Sequence, residues 1–460
     1  MIKKGIILVL AALVVLSSTL YALHLTTSSK SLVSRDLVVY TQGIALIKEI
    51  RTVKLNKGLN EIIISYIPSQ IDATSIVVKS LNSSVKVLEQ SYDYDLVNYQ
   101  KLLARSIGKK IKVKIDNETI EGILLSYDHN TLVLDINGKP EIVFTYKAKY
   151  IVLQTNISEY TLRPSLKVVL EAEKPGTYLL ELIYLAKGIS WTPYYAIIVS
   201  SDEKQIEELA GWARIVNNAG IDFENVGLSL LAGEVQIVSG ETYIRPLSKT
   251  YYEAGGIPSP LSQFSEEKLF EYHIFKLNGR IDLKNNEAKQ ISFITAKNVS
   301  CIKEYFVDYV RKGPKVYVVI SFNNTKTNNL GVPLPKGIIR VYKNTESGIV
   351  FIGEDRIENK SVNSTVRVVV GVVYDITVSR KMLESRKISE SSFRYKYRIV
   401  LKNHGDKAVS VKVIEHAYGN WEIVDTTHSY TKVDTHTFEF RVEVPPNSEV
   451  TIEYTIIIWW

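Results

Sequence analysis

The sequence predicts a mainly β protein: several β-sandwich modules of immunoglobulin-like type, with a small SH3- or Sm-like barrel inserted among them. Three observations carry this. Short runs rich in Val, Ile, Tyr and Thr alternate with Gly, Pro, Asn and Asp along most of the chain. Three units of strand, tight polar link and alternating strand recur, too irregular for a solenoid or a propeller. One segment breaks the pattern with a short helical period followed by five short strand patterns.

The N-terminus comes first. Lys3 and Lys4 precede an apolar run from Gly5 to Leu16, and after Ser17, Ser18 and Thr19 the chain is apolar again from Leu20 to Leu25, His24 excepted. Two cations before about 20 mostly apolar residues read as an export signal, and a helix of that length can span a bilayer core of roughly 30 Å. Ala22 is preceded two positions earlier by Leu20, a poor fit to signal cleavage. A retained anchor and a removed signal therefore both stand for residues 1–30. The rest is expected outside the cell, on the surface or secreted, with the membrane as a partner through this segment.

Residues 31–95 are expected to form an N-terminal β domain. Val38 to Lys54 reads as paired strands around Gln42-Gly43, and Leu55-Asn56-Lys57-Gly58 turns the chain into Asn60 to Tyr66. Residues 96–155 hold the insertion. LVNYQKLLARS, from Leu96 to Ser106, has the spacing of one amphipathic helix. Strands follow at Lys109–Ile115, Glu118–Tyr127, Thr131–Ile136, Glu141–Tyr146 and Tyr150–Leu153. A helix leading into five bent strands is the layout of a small barrel. Gly108, Gly122 and Asp128 sit where the first Sm motif has its glycines and aspartate, but Asn130 comes one residue early. RNA binding is not expected, because the segment is exported and lacks a set of stacking aromatics.

Residues 156–250 read as a β-sandwich. Residues 251–270, with Gly255-Gly256, Pro258 and Pro260, read as a linker or loop. Residues 271–378 read as a β domain, with a turn at Lys284-Asn285-Asn286-Glu287. Residues 379–460 read as a C-terminal immunoglobulin-like sandwich, with a turn at Pro445-Pro446-Asn447-Ser448.

Composition bounds the function classes. A hydrophobic share of 45% and a charged share of 23% are ordinary for globular domains. The net charge of +7 is spread without a basic block, so nucleic acid is not an expected partner. Cys301 is the single cysteine, which excludes an intramolecular disulfide. Asn-x-Ser/Thr sequons at Asn82, Asn117, Asn156, Asn298, Asn323, Asn359 and Asn363 are candidate glycosylation sites, a weak motif that chance also makes.

No catalytic site, cofactor or metal site is read from the residues. His404, His416, His428 and His436 lie near the C-terminus, but not at the spacing that places ligands on one strand face. Asp93 and Asp95 flank Tyr94 and suit a turn into the helix, with Asp95 as its cap. No nucleophile elbow, phosphate-binding glycine loop or zinc-protease helix is present. Trp191 with Tyr194 and Tyr195, and Trp421 with Tyr418, are either core residues or an aromatic binding platform for sugar rings. The final IIIWW reads as a buried terminal strand or as a contact with a partner or membrane interface.

Several strings taken together resemble a known family. RPSLKVVLEAEKPGTYLLELIYLAKGISWTPYYA (Arg163 to Ala196), ELAGWARIVNNAGIDFENVGLSLLAGEV (Glu208 to Val235), LFEYHIFKLNGRIDLKNNEAKQI, VPLPKGIIRVYKNTESGIVFIGEDRI and EHAYGNWEIVDTTHSYTKVDTHTFEFRVEVPPNSEVTIEYTI are similar, in order and spacing, to the conserved domain of unknown function of mucoidy-inhibitor-A-like proteins. YTQGIALIKEIRTVKLNKGLNEI and IDATSIVVKSL look like the N-terminal region of such proteins. The resemblance implies exported β-sandwich domains, brings no catalytic residues, and hints at effects on exopolysaccharide production. Many relatives carry a coiled coil where this chain has the small barrel. The expectation is a non-enzymatic surface or envelope protein that binds envelope proteins or glycans. Two alternatives are a carbohydrate-binding surface module and a hydrolase whose site assembles from distant residues.

Overall fold

A computed structural model describes residues 23–27, 31–82, 84–93, 99–154, 164–236, 263–269 and 272–460. Among them the protein is mainly β, in five sheets. Inward and outward side chains alternate along many of the strands, as in Ile189–Val199, where every second residue is buried. That alternation is the reason each such strand covers a core on one face.

The apolar residues assemble into three cores. The largest draws on 37–85, 166–232, 264–301 and 320–368. The segments expected as separate β domains at 31–95, 156–250 and 271–378 therefore share one hydrophobic interior. A seven-stranded sheet lies across it, containing Leu32–Tyr40, Ile44–Leu55, Gly176–Lys187 and Phe223–Ala232 among its strands. The core also takes side chains from a four-stranded sheet (Leu23–Thr27, Gly58–Ile64, Ser165–Ala172, Val85–Asp93) and from a ten-stranded sheet. The second core unites 307–316 with 376–458. The third belongs to the small inserted sheet. The 22-residue strand Glu287–Asp308 joins the two larger cores: it pairs with Gln205–Asn217 at its start and with Val409–His416 at its end.

The three expected units of strand, polar link and strand are corrected in one respect. Gln42-Gly43 does close an antiparallel pair. The links at Leu55–Gly58, Lys284–Glu287 and Pro445–Ser448 do not: each carries the chain from one sheet to another. The link from Gly176–Lys187 to Ile189–Val199 does the same through Gly188, whose φ is +85° and where a Cβ would lie 2.8 Å from the Asn218 carbonyl oxygen. Four buried asparagines hold such corners. Asn60 donates to the carbonyls of Asn56 and Gly58, Asn217 to those of Ile221 and Leu283, Asn324 to those of Val332 and Ser361, and Asn403 to those of Lys407, Val444 and Pro445. Loop carbonyls that would otherwise be buried without partners are thereby satisfied.

Other expectations shift at their edges. The helix over 96–106 is Tyr99–Ala104, and residues 94–98 lie outside the described set. The end of the expected linker, Phe264–Leu269, is a strand paired with Tyr272–Leu283. Residues 1–22 lie outside the described set, while Leu23–Thr27 is a strand parallel to Gly58–Ile64, so a helix from Gly5 could not continue to Leu25. No helix among the described residues is long and apolar enough to cross a membrane.

Candidate interaction surface

The small sheet places its strands in the order Lys139–Phe144, Thr131–Ile136, Glu118–Tyr127, Lys110–Ile115, Ala148–Leu153. The five strands fall close to where the sequence put them. The barrel does not close: no ladder joins Lys139–Phe144 to Ala148–Leu153. Only Thr145–Lys147, a 3-10 turn, separates these two edge strands. Four inter-strand spacings in a flat sheet would set the edges about 19 Å apart. The three-residue turn reaches at most roughly 14 Å even when extended. The sheet must therefore curl until Phe144 and Ala148 meet at that turn, with an open edge running away on either side of it; this break is the seam. Inside the curl, Leu103, Ile111, Val113, Leu124, Leu132, Leu134 and Val143 form the core. Gly122 is needed for packing, because a Cβ there would lie 2.8 Å from the Asp135 carbonyl oxygen.

The seam is lined by apolar side chains that face outward. Ile142 and Phe144 lie on one edge strand, opposite in parity to buried Val143. Tyr150 and Val152 lie on the other, paired with Lys114 and Lys112. Tyr146 on the turn between them is 74% exposed, with its ring centroid 5.6 Å from that of Phe144 and the Lys147 ammonium 5.9 Å from its face. Two strand edges unpaired among the described residues, beside exposed rings, form a template for a further strand. The sequence offered no sign of this, because the same alternation fits a closed barrel.

Asp128, matched to the Sm motif, is a turn former. Its carboxylate accepts from the Asn130 and Thr131 amides, both at 2.8 Å, and these bonds hold its pKa below the usual carboxylate value.

The aromatic sets do not make one exposed platform, which corrects that expectation. Trp191 is 1% exposed and its indole N–H donates to the Leu231 carbonyl. Its ring packs edge-on to Phe275 and Phe293. Tyr195 is buried, with its hydroxyl on the Pro335 carbonyl, and Tyr194 is half-buried. Trp421 is 9% exposed and donates to the Thr435 carbonyl, which leaves Tyr418 as the exposed member. Each tryptophan had a polar partner and an apolar bed in the core, and burial satisfies both.

The remaining candidates separate in space. His416 is buried against Asp308, Nε2 to Oδ1 at 3.1 Å, whereas His404 and His436 are exposed and His428 is half-buried. No group of three or more His, Cys, Asp or Glu among the described residues could hold a metal ion. Asp95 and Asn156 lie outside the described residues, and of Asp93 only the backbone is described. Asn82, Asn117, Asn298, Asn323, Asn359 and Asn363 are all exposed. Cys301 is buried; burial first, then Asp202 and Glu203, push its thiol up to about 11. Ser448–Trp459 is an inner strand of its sheet, and Trp460 beyond it is 65% exposed against Phe393.

Two buried carboxylates escaped the sequence reading. Glu49 accepts from Arg35 Nε at 2.8 Å, from Arg51 Nε at 2.6 Å and from the Tyr184 hydroxyl at 2.5 Å, with all three charged side chains essentially sealed from solvent. The Tyr66 carbonyl, presented by a left-handed residue (φ +63°), takes a hydrogen bond from each arginine. Burial alone would raise the Glu49 pKa, but the guanidiniums of Arg35 and Arg51 and the bond from Tyr184 outweigh it and hold it low. Glu415 repeats the arrangement with Arg380 and the Tyr454 hydroxyl, and the Arg380 guanidinium lies 3.9 Å from the Tyr397 ring centroid. Both groups are closed into the sandwiches.

A family model described as Domain of unknown function (DUF4139) matches residues 180–460. Comparison with curated proteins finds no match.

Proposed function

The chain belongs to the DUF4139 family, a domain of unknown function, and from that premise we propose that it is a non-enzymatic envelope protein that captures an extended, partly apolar segment of a partner protein at the open seam of its small sheet. The observation that carries this is the pair of edges, unpaired among the described residues, that bear Ile142, Phe144, Tyr146, Tyr150 and Val152. A strand laid against either edge would gain main-chain hydrogen bonds, and its alternate side chains would rest on the exposed rings. The apolar N-terminal run and the resemblance to mucoidy-inhibitor-A-like proteins support placing it in the envelope.

The test is a photo-reactive residue at Tyr146 in the full chain, in cells of the host, beside a control at Lys187 on the large sheet. A discrete adduct at 146, absent at 187 and lost with Phe144→Asp, is the expected result. Purified protein that turns over glycans or peptides would overturn the reading, as would identical adducts at both positions.

A further inference from the structure

One end of the first sandwich gathers the point where the N-terminal run enters and three links between sheets. Strand Leu23–Thr27 begins beside Asn60, at the foot of Gly58–Ile64. Pairing puts Leu55 opposite Gly176, Gly58 opposite Ala172, and Ala172 opposite Val85. The links 56–57, 81–84 and 173–175 therefore lie together with Leu23. This is a direct consequence of register, since all four strand ends are tied by hydrogen bonds, including Glu173 N to the Ser84 carbonyl and Leu81 N to the Leu179 carbonyl.

This end has a distinct surface. Lys54, Lys57, Lys86 and Lys174 are exposed on it, and Leu59 and Leu81 are 41% and 50% exposed among them. Glu171 and Glu173 are its exposed acids, so cations outnumber anions. Cations on flexible stems around isolated leucines suit the boundary between headgroups and acyl chains. The chain before Leu23 carries the apolar run from Gly5 to Leu16, and only Ser17-Ser18-Thr19 breaks the apolar character before the first strand.

We propose that this end of the molecule is its footing on the membrane, resting on the headgroups of a bilayer that contains anionic lipid. The inference rests on the envelope reading above, since the apolar run must enter the bilayer at this point. The short stretch from Leu16 to Leu23 keeps the body within roughly 25 Å of the run. Its lysine-bearing links are drawn to the surface, and the opposite end points away. Lys187, paired with Ile44 at the far end of the strand that begins at Gly176, lies eleven residues or about 36 Å further out.

The experiment uses the full chain reconstituted into phosphatidylcholine vesicles containing phosphatidylglycerol. Single variants Lys57→Cys, Lys174→Cys and Lys187→Cys carry an environment-sensitive fluorophore. The buried native Cys301, with its raised thiol pKa, labels slowly and serves as the blank. Headgroup spin-labelled lipid is expected to quench positions 57 and 174 several-fold more than 187, and replacing phosphatidylglycerol by phosphatidylcholine to weaken that difference. Equal quenching at all three, with the protein still floating with vesicles, overturns the footing and leaves the anchored reading standing. Protein that does not float with vesicles overturns both. A glycan found on Asn82 of the native protein also overturns the footing, because Asn82 lies in the 81–84 link.

Discussion

At the scale of single residues, buried polar groups decide more than the sequence reveals. Asn403 satisfies three carbonyls from its one amide nitrogen, and its Oδ1 accepts from the Gly405 amide. Asn403→Ala leaves those groups buried without partners and is expected to cost roughly 2–3 kcal/mol, read as a lower urea midpoint at an unchanged slope. Glu49→Gln leaves two guanidiniums buried around a neutral amide and is expected to cost roughly 3–5 kcal/mol. Its pH signature has a definite sign. The unfolded carboxyl takes its proton near 4.5 and the folded one lower, so the contribution is full above that value and fades as pH falls through the folded pKa. Thermal melts across that window should show a steeper acid loss for the native chain than for Glu49→Gln. None of this was legible in the sequence. Arg35, Glu49 and Arg51 stand on alternating positions that look the same whether they face water or core. The lone cysteine was legible as a non-disulfide residue, and its burial came only with the fold.

At the scale of elements, strand positions were readable and their partners were not. Glu118–Tyr127 and Thr131–Ile136 were placed to the residue, because β-branched alternation bounded by Asp-Asn and Asn-Gly turns leaves little freedom. The links read as hairpins failed for a physical reason. A two-residue type I′ hairpin needs two residues with positive φ. Each of these links supplies one: Gly58, Asn286 and Asn447. The Pro445-Pro446 pair adds fixed φ and no donors. The seam follows the same limit, since alternation cannot say whether two edges pair. Ile142→Asn and Val152→Asn sit on its exposed rim and should leave stability within about 0.5 kcal/mol. In calorimetry their melting should match the native chain while the adduct at position 146 falls.

At the scale of the whole molecule, the family match and the folding unit have different limits. The matched segment opens at Leu180, inside the strand Gly176–Lys187, which lies between Ile44–Leu55 and Val77–Ser80. A fragment 180–460 therefore lacks strands that complete the largest core. It is expected to expose apolar surface and bind a hydrophobic dye, and co-expressed residues 31–179 should restore protection of its amides from hydrogen exchange. The sequence indicated β modules, and the structure merges three of them, because a sheet face can be covered by strands from any part of the chain. The 22-residue strand Glu287–Asp308 has a mechanical meaning as well. At about 3.3 Å per residue its contour reaches at most about 70 Å, and it contributes to both large cores. A pull on the C-terminal sandwich meets the strand's only left-handed residue at Asn298 (φ +55°), near the Gln205 end of the ladder to Gln205–Asn217. The tension passes down one backbone and loads the ladder to Gln205–Asn217 in shear, with twelve register pairs sharing the force. Force would pass between the two large cores along this one backbone.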